Sequence, residues 1–187
     1  MQARDAGDGR LSDEELLSNL VLLLVAGFET TTNLLGNGLS VLFRHPEVRK
    51  SMASGDLPVA GFVEEVLRHD PPVQLTSGIA FADGSVVAGV SITRGAEALL
   101  LLGAANRDPR RYPDPDRFDP WRKDSNPLSF GAGAHFCLGS VLARLEATAV
   151  FPQLLTRFPD VAPAAGVEPE RRDRLVLREF KTLPVTV

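Results

Sequence analysis

The sequence predicts a mostly α-helical fold that carries a small β-sheet, and three stretches carry that prediction. A helical pattern runs unbroken from Asp13 to about Arg44, where His45-Pro46 stops it. From Val73 to Leu102 the pattern changes to short apolar runs broken by Asp83-Gly84, Gly89 and Arg94-Gly95, which read as short strands joined by tight turns. A second long helical pattern, Leu138 to Arg157, follows a glycine-rich stretch around the one cysteine, Cys137. The sheet is expected to lie between the helices on the cysteine side.

Taken in order, Ser12-Asp13-Glu14-Glu15 is a capping-box pattern, with Ser12 as cap and Glu15 reaching back. The helix it opens is apolar nearly all round from Leu20 to Phe28, so it is expected to be buried as a central helix. Within it, Ala26-Gly27-Phe28-Glu29-Thr30-Thr31-Thr32 joins a weak helix former to three threonines. Thr30 lies four residues after Ala26 and is placed to bond its carbonyl. A glutamate in such apolar surroundings needs a reason, because burying a carboxylate is costly.

Pro46 to Gly55 reads as a short helix that starts at proline and ends at glycine. Val59 to His69 reads as another, stopped by Asp70-Pro71-Pro72. Glu65 and Arg68 stand three apart on it and share a face, an arrangement that is ordinarily a surface ion pair worth under ~1 kcal/mol. Arg107 to Pro127, rich in Pro, Asp and Arg, reads as an irregular but packed loop. After Cys137, Leu142, Leu145 and Ala149 share one side of a helix that Pro152 is expected to kink or end early. The tail from Arg174 to Val187 reads as one or two strands, with Pro184 arguing for an edge.

With 187 residues, 44% hydrophobic and 24% charged, the chain is long enough for one globular domain. Its net charge of −4 gives no basic surface for nucleic acid. A single cysteine excludes an internal disulfide framework and suits a reducing compartment, so a cytoplasmic location is expected. The longest apolar run, Leu20 to Phe28, is well short of the ~20 residues that span a bilayer. Met1 to Arg10 is polar and has no signal-peptide core. No membrane attachment is expected.

The chemistry centres on Ser129 to Ala143, where Gly131, Gly133 and Gly139 surround Cys137. Glycines let the backbone turn tightly and approach a bulky ligand closely. A sulfur just before a helix sits near unpaired N–H groups, which favour the thiolate. A lone cysteine is ordinarily a small buried hydrophobe. A dinucleotide loop would need a third glycine where Phe136 stands. A Cys–His nucleophile has only His135 nearby, too close in sequence to assume a contact. Zinc would need more ligands than one cysteine and the three histidines of the chain provide.

Phe130-Gly131-x-Gly133-x-His135-x-Cys137-x-Gly139 resembles the haem-binding signature of the cytochrome P-450 family, the haem-thiolate monooxygenases. Three further segments match family motifs in family order. Ala26-Gly27-x-Glu29-Thr30 is similar to the oxygen-activation motif of the long central helix. By that resemblance Ala26 and Gly27 make room over the haem, and Glu29 and Thr30 form the acid–alcohol pair that supplies protons. Glu65-x-x-Arg68 is similar to the family's Glu-x-x-Arg brace of the cysteine-loop region, completed by an arginine like Arg117. The segment after Pro71-Pro72 lines the substrate pocket in the family, which marks Val73, Leu75 and Thr76.

The resemblance implies Cys137 as proximal ligand to the iron of haem b (iron protoporphyrin IX), with Phe130, Gly131 and Gly139 around it and His135 as a propionate partner. It implies O2-dependent oxidation of a small organic substrate, with electrons from a ferredoxin-type donor. Arg122, Lys123 and Arg144 are candidate docking charges for that donor, or plain solvated surface. Many relatives carry an arginine at the place of Gly78 that pairs with a propionate, and this chain does not. Family members are also much longer ahead of the central helix. The expectation is therefore that residues 1–187 are the C-terminal part of a P-450 domain whose N-terminal part is absent. The other reading is a truncated remnant that binds haem weakly or not at all, with a large apolar patch left open beside the central helix.

Overall fold

The structure, a computed structural model, describes residues 11–187. The polar segment before Leu11 lies outside the described residues. Helix α1 (Asp13–Arg44) opens on the predicted capping box, in which Ser12 Oγ accepts from the Glu15 N–H at 3.3 Å and Glu15 Oε2 accepts from the Ser12 N–H at 2.8 Å. Helices α2 (Pro46–Ala53) and α3 (Val59–His69) follow, close to the boundaries the prolines imply. Helix α4 (Leu102–Ala105) is a single turn, and α5 (Ser140–Arg157) leaves the cysteine loop.

The core forms where α1, α3 and α5 cross. Leu34, Val41 and Leu42 of α1 meet Phe62, Val63 and Val66 of α3 and Ala147, Phe151 and Leu155 of α5. The α1–α5 crossing is close because of Gly38, where a Cβ would lie 2.4 Å from the Phe151 ring. Phe151 in turn meets Phe62 edge-on, with ring centroids 5.0 Å apart. Pro152 does not end α5, which continues five residues beyond it to Arg157. Phe151 and Leu155, buried on either side of the proline, tie that turn into the core, and packing outweighs the local cost of proline.

Two expectations need correction. The small sheet is instead four separate antiparallel pairs among the described residues. β1 (Thr76–Ile79) pairs with β4 (Glu97–Leu100), and β2 (Ser85–Val87) with β3 (Val90–Ile92). β5 (Ala162–Pro163) pairs with β8 (Val185–Thr186), and β6 (Glu170–Arg171) with β7 (Phe180–Thr182). The β2–β3 hairpin turns through Ala88 and Gly89, both at positive φ, and sits between β1 and β4 in the chain without pairing to either. Every strand is thus an edge.

The second correction concerns α1. Its apolar stretch is not buried: Leu20 to Val25 and Phe28 are 53–75% exposed. Only the C-terminal half enters the core. By length and composition α1 also meets the requirement for crossing a bilayer, because its apolar character continues past Phe28. Its second half is nonetheless committed to protein, with Asn33 and Asn37 buried and hydrogen-bonded there.

Candidate functional site

The cysteine loop is built by two short 3-10 turns, Leu128–Phe130 and Gly133–His135. Between them the chain reverses at Gly131 (φ +71°) and Gly133 (φ +74°), a conformation that side chains disfavour. The Cys137 N–H donates to the Phe130 carbonyl at 3.0 Å and closes the loop on itself. Helix α5 starts three residues after the thiol, with the Ser140 N–H bonded to the Cys137 carbonyl at 3.3 Å. Gly139 has ordinary backbone geometry, and a Cβ there would lie 3.9 Å from Cys137 Sγ. Cys137 is exposed, so it is not the small buried hydrophobe that a lone cysteine ordinarily is. His135 is exposed as well and its ring has no hydrogen-bond partner among the described residues.

Behind the loop lies a buried polar brace. Arg68 and Glu65 are 0% and 1% exposed, so this is no surface pair. Arg68 Nε and Nη2 donate to Glu65 Oε2 and Oε1, each at 2.8 Å. The rest of the guanidinium donates to the carbonyls of Asn106 (2.9 Å), Pro115 (2.8 Å) and Arg117 (3.1 Å). Glu65 Oε1 accepts from the Asp119 N–H at 2.8 Å. Arg117 is the corrected assignment: it is exposed and gives only its carbonyl. The second guanidinium beside Glu65 is that of Arg122, 3.5 Å away and 12% exposed. Both arginines sit in an aperiodic loop, so nothing in the pattern says which one turns inward.

The brace reaches the cysteine loop through Asn106, which no motif singles out. Its Oδ1 accepts from the Leu128 N–H at 2.8 Å, and its Nδ2 donates to Ser129 Oγ at 2.9 Å. Arg144 reaches the same loop from α5, stacked 4.5 Å over the Phe130 ring and bonded through Nε and Nη2 to both oxygens of Glu64. Arg144 and Arg122 are therefore engaged within the protein, and Lys123 is the exposed cation of the three predicted docking charges.

On α1, Thr30 Oγ1 donates to the Ala26 carbonyl at 2.7 Å, as its spacing suggested. A Cβ at Gly27 would meet no atom within 4 Å. Glu29 departs from expectation. It is half-exposed rather than buried, and its Oε1 accepts from Arg174 Nη1 at 2.9 Å. Val73 is half-buried and forms an isolated antiparallel bridge with Leu177, and Thr76 is exposed at the start of β1. Leu75 is buried, so it faces protein and is not offered to a ligand. Gly78 lies in β1 opposite Ala98, with open space where a side chain would stand.

These residues fit a haem. No group of three or more His, Cys, Asp or Glu able to hold a metal ion occurs among the described residues. Iron held by Cys137 would have to bring its other donors with it, as a porphyrin does. The positions of Gly131 and Gly133 are open to a flat neighbour, with no atom within 4 Å of a Cβ at either. Phe136, Leu138, Val141, Leu142 and Leu145, all exposed, supply apolar surface around the thiol.

The cytochrome P450 family profile matches residues 1–54 and 58–185. A cytochrome P450 of Mycobacterium tuberculosis is 47% identical over 190 residues, covering 100% of this chain and 43% of the relative. The vitamin D(3) 25-hydroxylase of Pseudonocardia autotrophica is 42% identical, with 98% and 46% covered. The crystal structure of P450BioI in complex with hexadec-9Z-enoic acid ligated acyl carrier protein superposes with a TM-score of 0.90 at 42% identity. That match covers 95% of this chain and 46% of the solved one. Mycobacterium smegmatis CYP164A2 gives a TM-score of 0.90 at 43% identity, covering 97% and 46%. The chain thus spans less than half the length of these relatives, and over that span its sequence, helices and strand pairs place it with them: it belongs to the cytochrome P450 family.

Proposed function

We propose that the chain is the C-terminal part of a haem-dependent monooxygenase that oxidises a small organic substrate with O2 and two electrons. The observation that carries this reading is Cys137, an exposed thiol on a loop reversed by two glycines at the foot of α5. When bound, haem b would supply the redox-active iron that O2-dependent oxidation needs. Cys137 would hold that iron as a thiolate. Gly131 and Gly133 keep side chains away from the ring, and His135 donates to a propionate. Ala26 and Gly27 leave room on the α1 side. Glu29 takes up a proton at its carboxylate, and Thr30 is the alcohol of the same pair, its hydroxyl bonded to the Ala26 carbonyl. Val73 and Thr76 line the substrate side. Glu65, Arg68 and Arg122 brace residues 106–119, and Asn106 passes that support to the loop that carries the cysteine. Electrons come from a ferredoxin-type protein, with Lys123 as a docking charge, in the cytoplasm.

The test is the carbon monoxide difference spectrum of the reduced, haem-loaded protein. Cys137→Ser is expected to abolish the thiolate-type band, and its survival would remove the assignment. A second reading, a remnant without catalysis, is favoured by one observation, the open apolar stretch from Leu20 to Phe28. Oxidation of substrate by a monodisperse haem-loaded sample of residues 1–187 would rule it out.

A further inference from the structure

A polar seam runs along one face of α1. Glu29, Asn33 and Asn37 are spaced four apart and stack above one another. Each meets the C-terminal segment between residues 170 and 180. Asn37 Nδ2 donates to the Arg178 carbonyl at 3.1 Å, and its Oδ1 accepts from Arg171 Nη1 at 3.3 Å. Asn33 Nδ2 donates to Glu179 Oε2 at 3.3 Å. Arg174 Nη1 lies 2.9 Å from Glu29 Oε1 and 3.2 Å from Glu179 Oε1. One guanidinium thus stands between two carboxylates, one half-exposed and one buried.

We propose that Arg174 is the positioning residue for Glu29, anchored on buried Glu179 and fixing from there where the Glu29 carboxylate rests. Its bearing on catalysis depends on the reading of Glu29 as a proton carrier, but the positioning itself does not. Arg174 is the sole hydrogen-bond or ion-pair partner of the Glu29 side chain among the described residues. A free glutamate side chain samples several rotamers, and a cation held by a second carboxylate selects one of them. Glu179 is held by its burial and by Asn33 on Oε2, while Oε1 has no hydrogen-bond partner among the described residues and only the cations of Arg174 and Arg172 near it, at 3.2 and 3.5 Å. The anchor therefore stays in place whether or not Glu29 is engaged. An acid that repeatedly takes up and gives up a proton is returned by this arrangement to the same position.

The experiment needs no haem. The full chain is treated with a water-soluble carbodiimide and an amine, and labelling of each carboxylate is followed by peptide mass spectrometry. Arg174→Gln is expected to raise labelling at Glu29 about two- to fivefold, the factor a half-exposed ion pair carries. Arg174→Lys, which keeps the charge, should return it to near the parent rate. Buried Glu65 reports on the fold and should stay unlabelled in all three. Added salt should raise Glu29 labelling in the unmodified protein, a check that involves no substitution, because exposed ion pairs are screened. Equal labelling in parent and Arg174→Gln, a lysine variant that labels like the glutamine one, or no salt response would each overturn the proposal. Failure of the proton-carrier reading shows elsewhere, as an unchanged peroxide-to-product ratio for Glu29→Gln in the haem-loaded, parent-length enzyme.

Discussion

His69 shows how much a single side chain is decided by its surroundings. Its Nε2 lies 3.0 Å from the Asp116 carbonyl and its Nδ1 3.2 Å from Arg107 Nη2. The first contact requires N–H on Nε2 and the second a bare Nδ1, so both are made by the neutral ring. Burial pushes the pKa of His69 below its ordinary 6.5; the Asp116 carbonyl opposes this, and the charges of Arg107 and Arg68 reinforce it. Because the folded-state pKa is the lower, the unfolded chain binds more protons between the two values. His69 therefore contributes stability that is present above pH 6.5 and lost as the pH falls through the folded-state value. The melting temperature is expected to drop between about pH 7 and pH 5, and less steeply in His69→Gln, which still donates to the Asp116 carbonyl. Asp108, held down to about 2 by Arg110, keeps its charge throughout that interval. At this scale the sequence offers candidate residues but not their neighbours. Glu29 and Arg174 are 145 positions apart, and nothing in either stretch announces the other.

At the scale of elements, boundaries were legible and environments less so. The capping box, His45-Pro46 and Asp70-Pro71-Pro72 are local signals, and α1, α2 and α3 begin and end by them. Pro152 does not end α5, because its local cost is outweighed by Phe151 and Leu155, whose partners lie far off in sequence. Two helical glycines separate local from tertiary constraint. At Gly61 of α3 a Cβ would lie 2.6 Å from the Pro120 carbonyl oxygen, which is backbone in a pinned loop. At Gly27 of α1 it would meet nothing within 4 Å. Gly61→Ala is expected to destabilise the chain by about 1–3 kcal/mol through overpacking, despite alanine's better helix propensity. Gly27→Ala should be neutral or stabilising by up to ~1 kcal/mol in the absence of haem. Urea unfolding midpoints of the two variants decide both.

For the molecule as a whole, the governing fact is a core on one side of α1 and open apolar surface on the N-terminal half. The all-round apolar pattern calls for neighbours on every side, and the described residues cover only the second half of α1. Exposed apolar surface of this extent drives association in soluble proteins. Leu24→Lys, at a position 73% exposed, is expected to leave stability within ~0.5 kcal/mol while raising the monomer fraction in sedimentation. In a protein of the relatives' full length, with that face covered, the same change should be strongly destabilising. A neutral result in both would mean that the face is solvent-facing in either setting. The four separate strand pairs belong to this scale too, because which strands pair depends on the path of the whole chain rather than on the runs that form them.

The Glu65–Arg68 brace holds its loop almost wholly by main-chain groups: the carbonyls of residues 106, 115 and 117 and the N–H of residue 119. A clasp of this kind prescribes the course of the loop and is indifferent to most of the letters written along it. The side chain at 117 takes no part in the clasp and position 115 already carries a proline, whereas at 119 proline is excluded because Glu65 accepts from that N–H. Asn106, which spends its side chain on Leu128 and Ser129, has no such licence. The loop thus permits divergence of its outer surface, while its course beside the Cys137 loop stays unaltered.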